Sequence, residues 1–172
     1  ISPAWPLSYA ELEPYYCKAE DMYQVHGSRE GDPTEPPSSK PYPYPPVSHE
    51  PRIQKIFDDL KTAGLHPSHA PCGVMLNEKK PEQSHCIRCK TCDGFPCLVQ
   101  AKCDAEMAGV RPALTYPNVT LMTHTHVDRL ETSPDGKTVT KVHATIEGEK
   151  HEFEADVIVV SCGATNSAKL LL

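Results

Sequence analysis

The 172-residue sequence has no excess of positive charge and no long apolar run. Its 17 lysine and arginine residues are outnumbered by 23 acidic residues, which gives a formal net charge of -6. We therefore expect binding neither to nucleic acid nor to an anionic membrane surface. The longest buried-looking run, residues 157–160 (VIVV), is far too short for a membrane span. These absences favour a cytoplasmic or peripherally membrane-associated protein.

The composition is that of a globular protein of about one domain. Hydrophobic residues make up 38% and charged residues 23% of the sequence, which is typical of a soluble class with a buried core. The chain opens at Ile1 without a methionine and stops within an apolar run, residues 170–172. We interpret it as an internal piece of a longer protein. The absence of a motif from this piece is therefore weak evidence that the whole protein lacks the corresponding function.

Proline is abundant, with 18 residues in the chain, roughly twice the average share of ~5%. Eight of them lie in residues 32–51. Because proline fixes φ and lacks an N–H, this stretch predicts an extended, polyproline-like connection. A rigid surface linker is favoured over a ligand for an SH3-type domain.

Residues 1–31 are predicted to be a helical segment. Ser8 and Glu11 have the spacing of a capping box, in which each side chain satisfies a free amide of the first turn. We expect a short helical turn at residues 9–12 and then a separate helix over residues 14–23. The proline that opens the second stretch suits the first turn of a helix better than its interior.

Residues 52–110 are predicted to hold one helix and a cysteine-rich loop. Ser48 is placed to cap the helix, and Gly64 is placed to end it. The apolar residues of this helix share one face at helical spacing: Ile53, Ile56, Phe57, Leu60 and Ala63. A further helix is expected over about residues 98–108.

Residues 111–172 change to a strand pattern. Turn sequences at 133–136 (SPDG) and 147–150 (EGEK) separate short alternating runs, which predicts an antiparallel β-meander. The expected strands cover residues 119–123, 127–131, 139–146 and 151–154. Residues 156–161 (DVIVVS) indicate a strand buried on both faces of a parallel sheet. A small-residue turn then leads into a final helix, the order in which α/β sheets present ligand sites.

Two stretches of the sequence resemble a known family. Residues 5–27 (WPLSYAELEPYYCKAEDMYQVHG) resemble a segment of many bacterial FAD-dependent sugar and alcohol dehydrogenases. Residues 163–171 (GATNSAKLL) are similar to the second signature of the glucose–methanol–choline (GMC) oxidoreductases, [G/S]-A-x-x-[S/T]-P-x-L-L, with Ala168 in place of the usual proline. The order of the segments between them also fits, so the resemblance covers nearly the whole chain.

The resemblance implies an α/β fold, α+β within this piece. It would be a central part of a Rossmann-like FAD-binding domain with an antiparallel meander and N-terminal helices. Residues 1–31 would lie at the junction with the substrate domain, and residues 111–172 would supply the meander, buried strand and turn. It also implies FAD-binding positions at Val127, through its backbone, and at the turn Cys162, Gly163 and Ala164.

The function implied by the resemblance is oxidation of a CH–OH group by hydride transfer to flavin. The substrate would be a small alcohol or sugar, and a dehydrogenase is favoured over an oxidase. If the cysteines bind a cluster, electrons would pass to a quinone or an acceptor protein rather than to oxygen. The G-x-G-x-x-G motif of the family belongs upstream of this chain and its catalytic histidine downstream, so we expect no catalytic residue among the nine histidines here.

Four of the eight cysteines, Cys86, Cys89, Cys92 and Cys97, fall within twelve residues. The spacing begins like a ferredoxin pattern, but the run to Cys97 departs from it. Zinc, a disulfide or plain thiols are the alternatives. Some membrane-associated GMC dehydrogenases carry a cysteine-bound iron–sulfur cluster, so the resemblance favours a cluster over zinc, with thiols or a disulfide weighted equally with the cluster.

Two rival functions follow from the cysteines alone. A stand-alone iron–sulfur or zinc module for electron transfer would leave residues 5–27 and the closing turn unexplained. A secreted domain held by disulfides is less favoured still, because a chain of this length can form a stable core without disulfide bonds. The sequence therefore favours a piece of a flavoenzyme.

Overall fold

The computed structural model describes residues 4–89, 92 and 94–172. It divides into two compact units, Ile1–Val119 and Thr120–Leu172. The first unit contains two long helices, three short helical segments, a two-stranded sheet and the cysteine-rich loop, and the second contains a three-stranded sheet and a closing helix. Helices combined with antiparallel sheet give an α+β arrangement in the described residues. None of the described helices is both long and apolar enough to cross a membrane.

The first helix, α1, spans Tyr9–Met22. The predicted capping box is present: the Ser8 hydroxyl accepts from the Glu11 amide at 3.4 Å, and the Glu11 carboxylate accepts from the Ser8 amide at 2.8 Å. The predicted division at Pro14 is wrong, because one helix runs through this proline. Pro14 lacks the N–H that would bond the carbonyl four residues earlier, and the helix continues through it to Met22.

Glu13 ties α1 to the proline-rich connection. Its carboxylate accepts hydrogen bonds from the Ser39 amide at 2.7 Å, the Ser39 hydroxyl at 2.8 Å and the Ser38 hydroxyl at 3.3 Å. The Cys17 thiol donates to the same oxygen at 3.1 Å. This set of donors favours the charged form and lowers the pKa of Glu13 from 4.5 to about 2, with the Ser39 amide as the largest cause.

The low pKa of Glu13 predicts a pH-dependent contribution to stability. Because the folded-state pKa lies below the ordinary value of 4.5, the contribution is present above about pH 4.5 and is lost as the pH falls towards 2. In the full-length protein, the urea midpoint of unfolding should fall less over this pH range in Glu13→Gln than in wild type. Glu147→Gln, in an exposed hairpin turn, is the matched control, and parallel profiles for Glu13→Gln and wild type would contradict the prediction.

The second helix, α2, spans Pro51–Thr62 and is capped by Glu50, whose carboxylate accepts from the Arg52 amide at 3.0 Å. The expected cap at Ser48 is therefore wrong. The Ser48 hydroxyl is engaged elsewhere, since it donates to the Glu78 carboxylate and accepts from the Arg88 guanidinium at 3.2 Å.

The predicted end of α2 is confirmed. Gly64 has a φ of 80°, the left-handed conformation that glycine adopts without strain. Its amide donates to the Lys61 carbonyl at 3.1 Å, and the Leu65 amide donates to the Leu60 carbonyl at 3.1 Å. This is the bonding pattern of a Schellman motif. The apolar stripe of α2 stays largely open to solvent in this unit, and Ile53 and Ile56 are 51% and 53% exposed.

A small sheet forms the centre of the first unit. Strand β1 (Val25–His26) pairs antiparallel with β2 (Cys72–Gly73). A bridge from Val74 to Lys102 continues this layer. The described residues of the unit that are buried lie in or beside these segments or on α1: Cys17, His26, Gly27, Leu76, Ala101 and Cys103. The sheet thus brings together three parts of the chain that are far apart in sequence.

The helix expected at residues 98–108 begins later. Gln100 has a φ of 53°, and Ala101 accepts from the Met75 amide at 2.9 Å, so this part of the chain joins the small sheet. Asp104 then accepts from the Met107 amide at 3.0 Å and starts the helical segment. That segment consists of a π-helical turn, Glu106–Val110, and the short α3, Arg111–Ala113. A single 3₁₀ turn covers Pro81–Gln83.

The second unit confirms the predicted meander. Strands β3 (Thr125–Thr132), β4 (Val139–Ile146) and β5 (Glu149–Phe153) pair antiparallel in that order. The first turn closes with a bond from the Gly136 amide to the Ser133 carbonyl at 2.8 Å. In the second, Glu147 and Gly148 have φ of 50° and 92°, as a two-residue type I′ turn requires.

Two other predicted strands are wrong. Residues 119–123 and 156–161 adopt no strand conformation, and Val157 and Val159 are each 78% exposed. A strand needs a hydrogen-bonded neighbour, and among the described residues neither segment has one. The closing helix is present as α4, Gly163–Leu171, and packs against β3.

Candidate cofactor site and cysteine cluster

A cleft of about 350 Å³ lies between β3 and α4 in the second unit. Both apolar and polar side chains line it. Its lining residues are Thr125, His126, Val127, Asp128, Cys162, Asn166, Lys169 and Leu170. The cleft therefore brings together Val127 and Cys162, two of the four predicted FAD-binding residues.

One side of the cleft is a sheet edge. β3 pairs only with β4 among the described residues, and a register shift after Val127 leaves Asp128 without a direct partner residue. The backbone groups on the outer edge of β3 are therefore available to a ligand. Such groups hydrogen-bond as readily to a nucleobase as to another strand.

The other side of the cleft is the start of α4. Cys162 is the residue before the helix, and its amide donates to the Ser167 hydroxyl at 3.0 Å. Gly163 has a φ of 76°, and a Cβ at this position would meet nothing within 4 Å. The glycine is thus required by the backbone conformation and not by crowding. Gly163 and Ala164 open the helix but are not among the residues that line the cleft.

The charged groups of the cleft are only partly neutralised within it. Asp128 accepts from the Thr145 hydroxyl at 2.7 Å and from the Lys150 ammonium at 3.2 Å. These bonds, with that of Thr145 largest, lower the pKa of Asp128. Lys169 adds a cation from α4. An open strand edge offers hydrogen bonds to an adenine, and a helix start and an ammonium group favour the phosphates of a dinucleotide.

Asn166 and Lys169 were not among the predicted site residues. Both lie on the same face of α4 as Cys162, at spacings of four and seven residues. That spacing is the signal in the sequence that could have identified them.

The cysteines surround a second cavity, of about 600 Å³, in the first unit. Five thiols line it: Cys72, Cys86, Cys89, Cys92 and Cys103. Arg88, Lys102 and Asp104 add charge, and the rest of the lining is mostly apolar. The predicted ligand Cys97 lines instead a smaller cavity of about 90 Å³, together with Cys89 and Cys92.

The thiols differ in their environments. Burial raises the pKa of Cys72, with Cys86 as a second cause, and burial followed by the Asp104 charge raises that of Cys103. The pKa of Cys97 is lowered because the Ala101 amide donates to its sulfur at 3.3 Å. Desolvation raises the pKa of Cys92. The surroundings of Cys97 therefore favour its thiolate form.

The arrangement does not form a ready metal centre. Among residues 4–89, 92 and 94–172, no group of three or more histidine, cysteine or acidic side chains is placed to hold a metal ion. The predicted set of Cys86, Cys89, Cys92 and Cys97 stays a prediction, and all four are in the thiol form. Residues 93–96 (DGFP) have the sequence of a turn; Asp93 lies outside the described residues, and Gly94 has a φ of 68°.

Comparison with known proteins identifies the family. Residues 59–172 match the family model of the GMC oxidoreductases. The chain is 30% identical over 169 residues to paromamine 6'-oxidase from Streptomyces fradiae and 25% identical over 185 residues to the gluconate 2-dehydrogenase flavoprotein from Pantoea cypripedii. It is 24% identical over 168 residues to 2-methyl-1,2-propanediol dehydrogenase from Mycolicibacterium austroafricanum.

These alignments take in 98%, 96% and 98% of the chain, respectively, and 30% of the length of each relative. The family match includes the cysteine-rich loop, the meander and α4. GMC oxidoreductases are FAD-binding flavoproteins, which agrees with the resemblance of residues 5–27 and 163–171. The chain belongs to the GMC oxidoreductase family.

Proposed function

We propose that the protein containing this chain is an FAD-dependent oxidoreductase that oxidises a CH–OH group of an alcohol or sugar. The observation that carries the proposal is the cleft between β3 and α4, with Val127 and Cys162 on facing walls, in a chain of the GMC family. The names of the relatives, an oxidase of paromamine and dehydrogenases of gluconate and of a propanediol, support this class of substrate. FAD, when bound, would accept the hydride from the substrate carbon.

This chain would contribute cofactor binding and no catalytic side chain. The outer edge of β3 at Val127 would hydrogen-bond the adenine, and the turn of Cys162, Gly163 and Ala164 would lie against the dinucleotide. The cleft would shield the adenosine from water. Residues 111–172 would then form part of a Rossmann-like FAD-binding domain, and residues 1–31 would lie at its junction with a substrate domain.

The cysteine loop bears on the electron acceptor. An iron–sulfur cluster at Cys86, Cys89, Cys92 and Cys97 would favour transfer to a quinone or an acceptor protein. The described thiols do not converge as a cluster requires. The proposed function therefore includes no electron transfer through that loop. A stand-alone electron-transfer module is disfavoured, because the family match runs through the loop into the meander and α4.

Anaerobic reduction of the purified full-length protein tests the proposed reaction. We expect a panel of alcohols and sugars to include at least one compound that bleaches the visible absorbance of the flavin. Dithionite serves as the control for a reducible flavin. A flavin that dithionite bleaches but no CH–OH compound reduces would contradict the proposal. Oxygen uptake on readmission of air then separates an oxidase from the favoured dehydrogenase.

A further inference from the structure

The cysteine loop contains a pair of thiols in contact. Cys89 and Cys92 are separated by two residues, and their side chains lie within hydrogen-bonding reach of each other. Both are exposed to solvent. Both also line the two neighbouring cavities of the first unit. A Cys-x-x-Cys pair with adjoining, accessible sulfurs is the arrangement of a dithiol that closes to a disulfide.

Cys86 has the same spacing from Cys89 but is held elsewhere. Its amide donates to the Met75 carbonyl at 3.0 Å, and its carbonyl accepts from the Ser84 hydroxyl at 2.8 Å. Cys86 interacts electrostatically with Cys72 of β2 and with Cys92. Between Cys86 and Cys89 the backbone of Arg88 has a φ of 52°, which turns the chain. Cys92 is in side-chain hydrogen-bonding contact with Cys89, whereas its interaction with Cys86 is electrostatic.

The segment that carries Cys92 is anchored to the rest of the unit. The Lys102 ammonium donates to the Cys92 carbonyl at 2.9 Å and to the Phe95 carbonyl at 2.8 Å. Lys102 itself belongs to the bridge with Val74 that extends the small sheet. Because one member of the pair is fixed by this anchor, closing the disulfide orders less of the chain than it would in a free loop.

We propose that Cys89 and Cys92 are a redox-active dithiol, a modification site that exchanges with small disulfides such as oxidised glutathione. One thiolate attacks the glutathione disulfide and releases one glutathione, and the second cysteine then displaces the other glutathione. The two protein thiols lose two electrons and two protons, and one disulfide is reduced to two thiols. Pairwise contact, with no convergent group of three ligands among the described residues, favours this chemistry over metal binding.

Disulfide mapping on the full-length protein tests the dithiol. The protein is equilibrated over a range of reduced-to-oxidised glutathione ratios, its remaining thiols are blocked by alkylation, and its peptides are identified by mass spectrometry. We expect a Cys89–Cys92 disulfide that appears as the oxidised share rises and disappears when it falls. Cys92→Ser should replace it with a mixed disulfide of glutathione on Cys89.

Matched variants distinguish this pair from its neighbours. Cys86→Ser and Cys97→Ser should both leave the Cys89–Cys92 disulfide in place. Alkylation of both thiols at every ratio, or a disulfide that instead joins Cys89 to Cys86 or to Cys97, would overturn the proposal. Stoichiometric iron or zinc in protein purified without oxygen, with both thiols protected, would overturn it as well.

The dithiol proposal rests on different evidence from the proposed function, and separate outcomes contradict each of them. Flavin is measured on the same samples, since disulfide mapping needs neither flavin nor substrate. A protein that forms the disulfide but contains no flavin would count against the oxidoreductase and support the dithiol. A flavin-loaded protein without the disulfide would overturn the dithiol alone.

Discussion

Replacing Cys162 with tryptophan is expected to lower the FAD retained by the purified full-length protein at least about tenfold. A tenfold loss corresponds to about 1.4 kcal/mol of binding free energy. The indole would occupy the cleft of about 350 Å³ in which Cys162 faces Val127. Since Cys162 precedes α4 and is exposed, the larger side chain can be accommodated without disturbing the fold. The measurement is the amount of flavin released per polypeptide after denaturation.

Two further variants show whether the loss comes from a filled cleft. Lys137→Trp places the same side chain in an exposed turn of the second unit and should retain the wild-type FAD content. Cys162→Ser keeps the cleft open and should do the same. Equal flavin in Cys162→Trp and wild type, with both folded by circular dichroism, would show that the adenosine does not lie in this cleft.

Replacing Arg29 with alanine should lower the free energy of unfolding by about 3 kcal/mol, the usual cost of removing one partner from a buried ion pair. Arg29 is the centre of a half-buried polar group, with 20% of its side chain exposed. Its guanidinium bonds both carboxylate oxygens of Glu20 at 2.7 and 2.9 Å and pairs with Glu35. It also donates to the Lys40 carbonyl at 2.9 Å, and it lies 4.1 Å from the centroid of the Tyr42 ring. Truncation leaves two carboxylates without their counter-ion.

Arg29→Lys is the informative companion variant. An ammonium group has one nitrogen and cannot bond Glu20, Glu35 and the Lys40 carbonyl as the three guanidinium nitrogens do, nor stack as well on Tyr42. It should therefore recover only part of the loss. Arg52→Ala, at an exposed position of α2, should stay within about 0.5 kcal/mol of wild type. Urea unfolding of the full-length protein measures all three. Equal midpoints for Arg29→Ala and Arg52→Ala would contradict the prediction.

Local signals in the sequence predicted local structure well. The capping box at Ser8, the left-handed Gly64 and the two turns of the meander depend on interactions within a few residues, and all are present. By contrast, residues 119–123 and 156–161 have the pattern of strands. A strand also requires a hydrogen-bonded neighbouring strand, and the sequence of a segment does not specify that partner. The helix predicted from residue 98 was displaced because that segment joins the small sheet through Ala101.

The candidate site was predictable in part. Val127 and Cys162 were predicted from the family resemblance, and Asn166 and Lys169 could have been added from the helical spacing with Cys162. The cysteine-lined cavity was not predictable from spacing alone. Cys72 reaches it through the pairing of β2 with β1, and Cys103 through the bridge next to it. Such long-range pairings are fixed by the fold and not by local sequence.

The flavin content of the wild-type full-length protein tests the central claim most directly. The protein is purified without added cofactor, denatured, and the released flavin is identified by chromatography and quantified against polypeptide. We expect FAD at close to one molecule per chain. A folded protein that contains no FAD, and that takes up none when FAD is added in excess, would contradict the assignment of this chain to an FAD-binding domain.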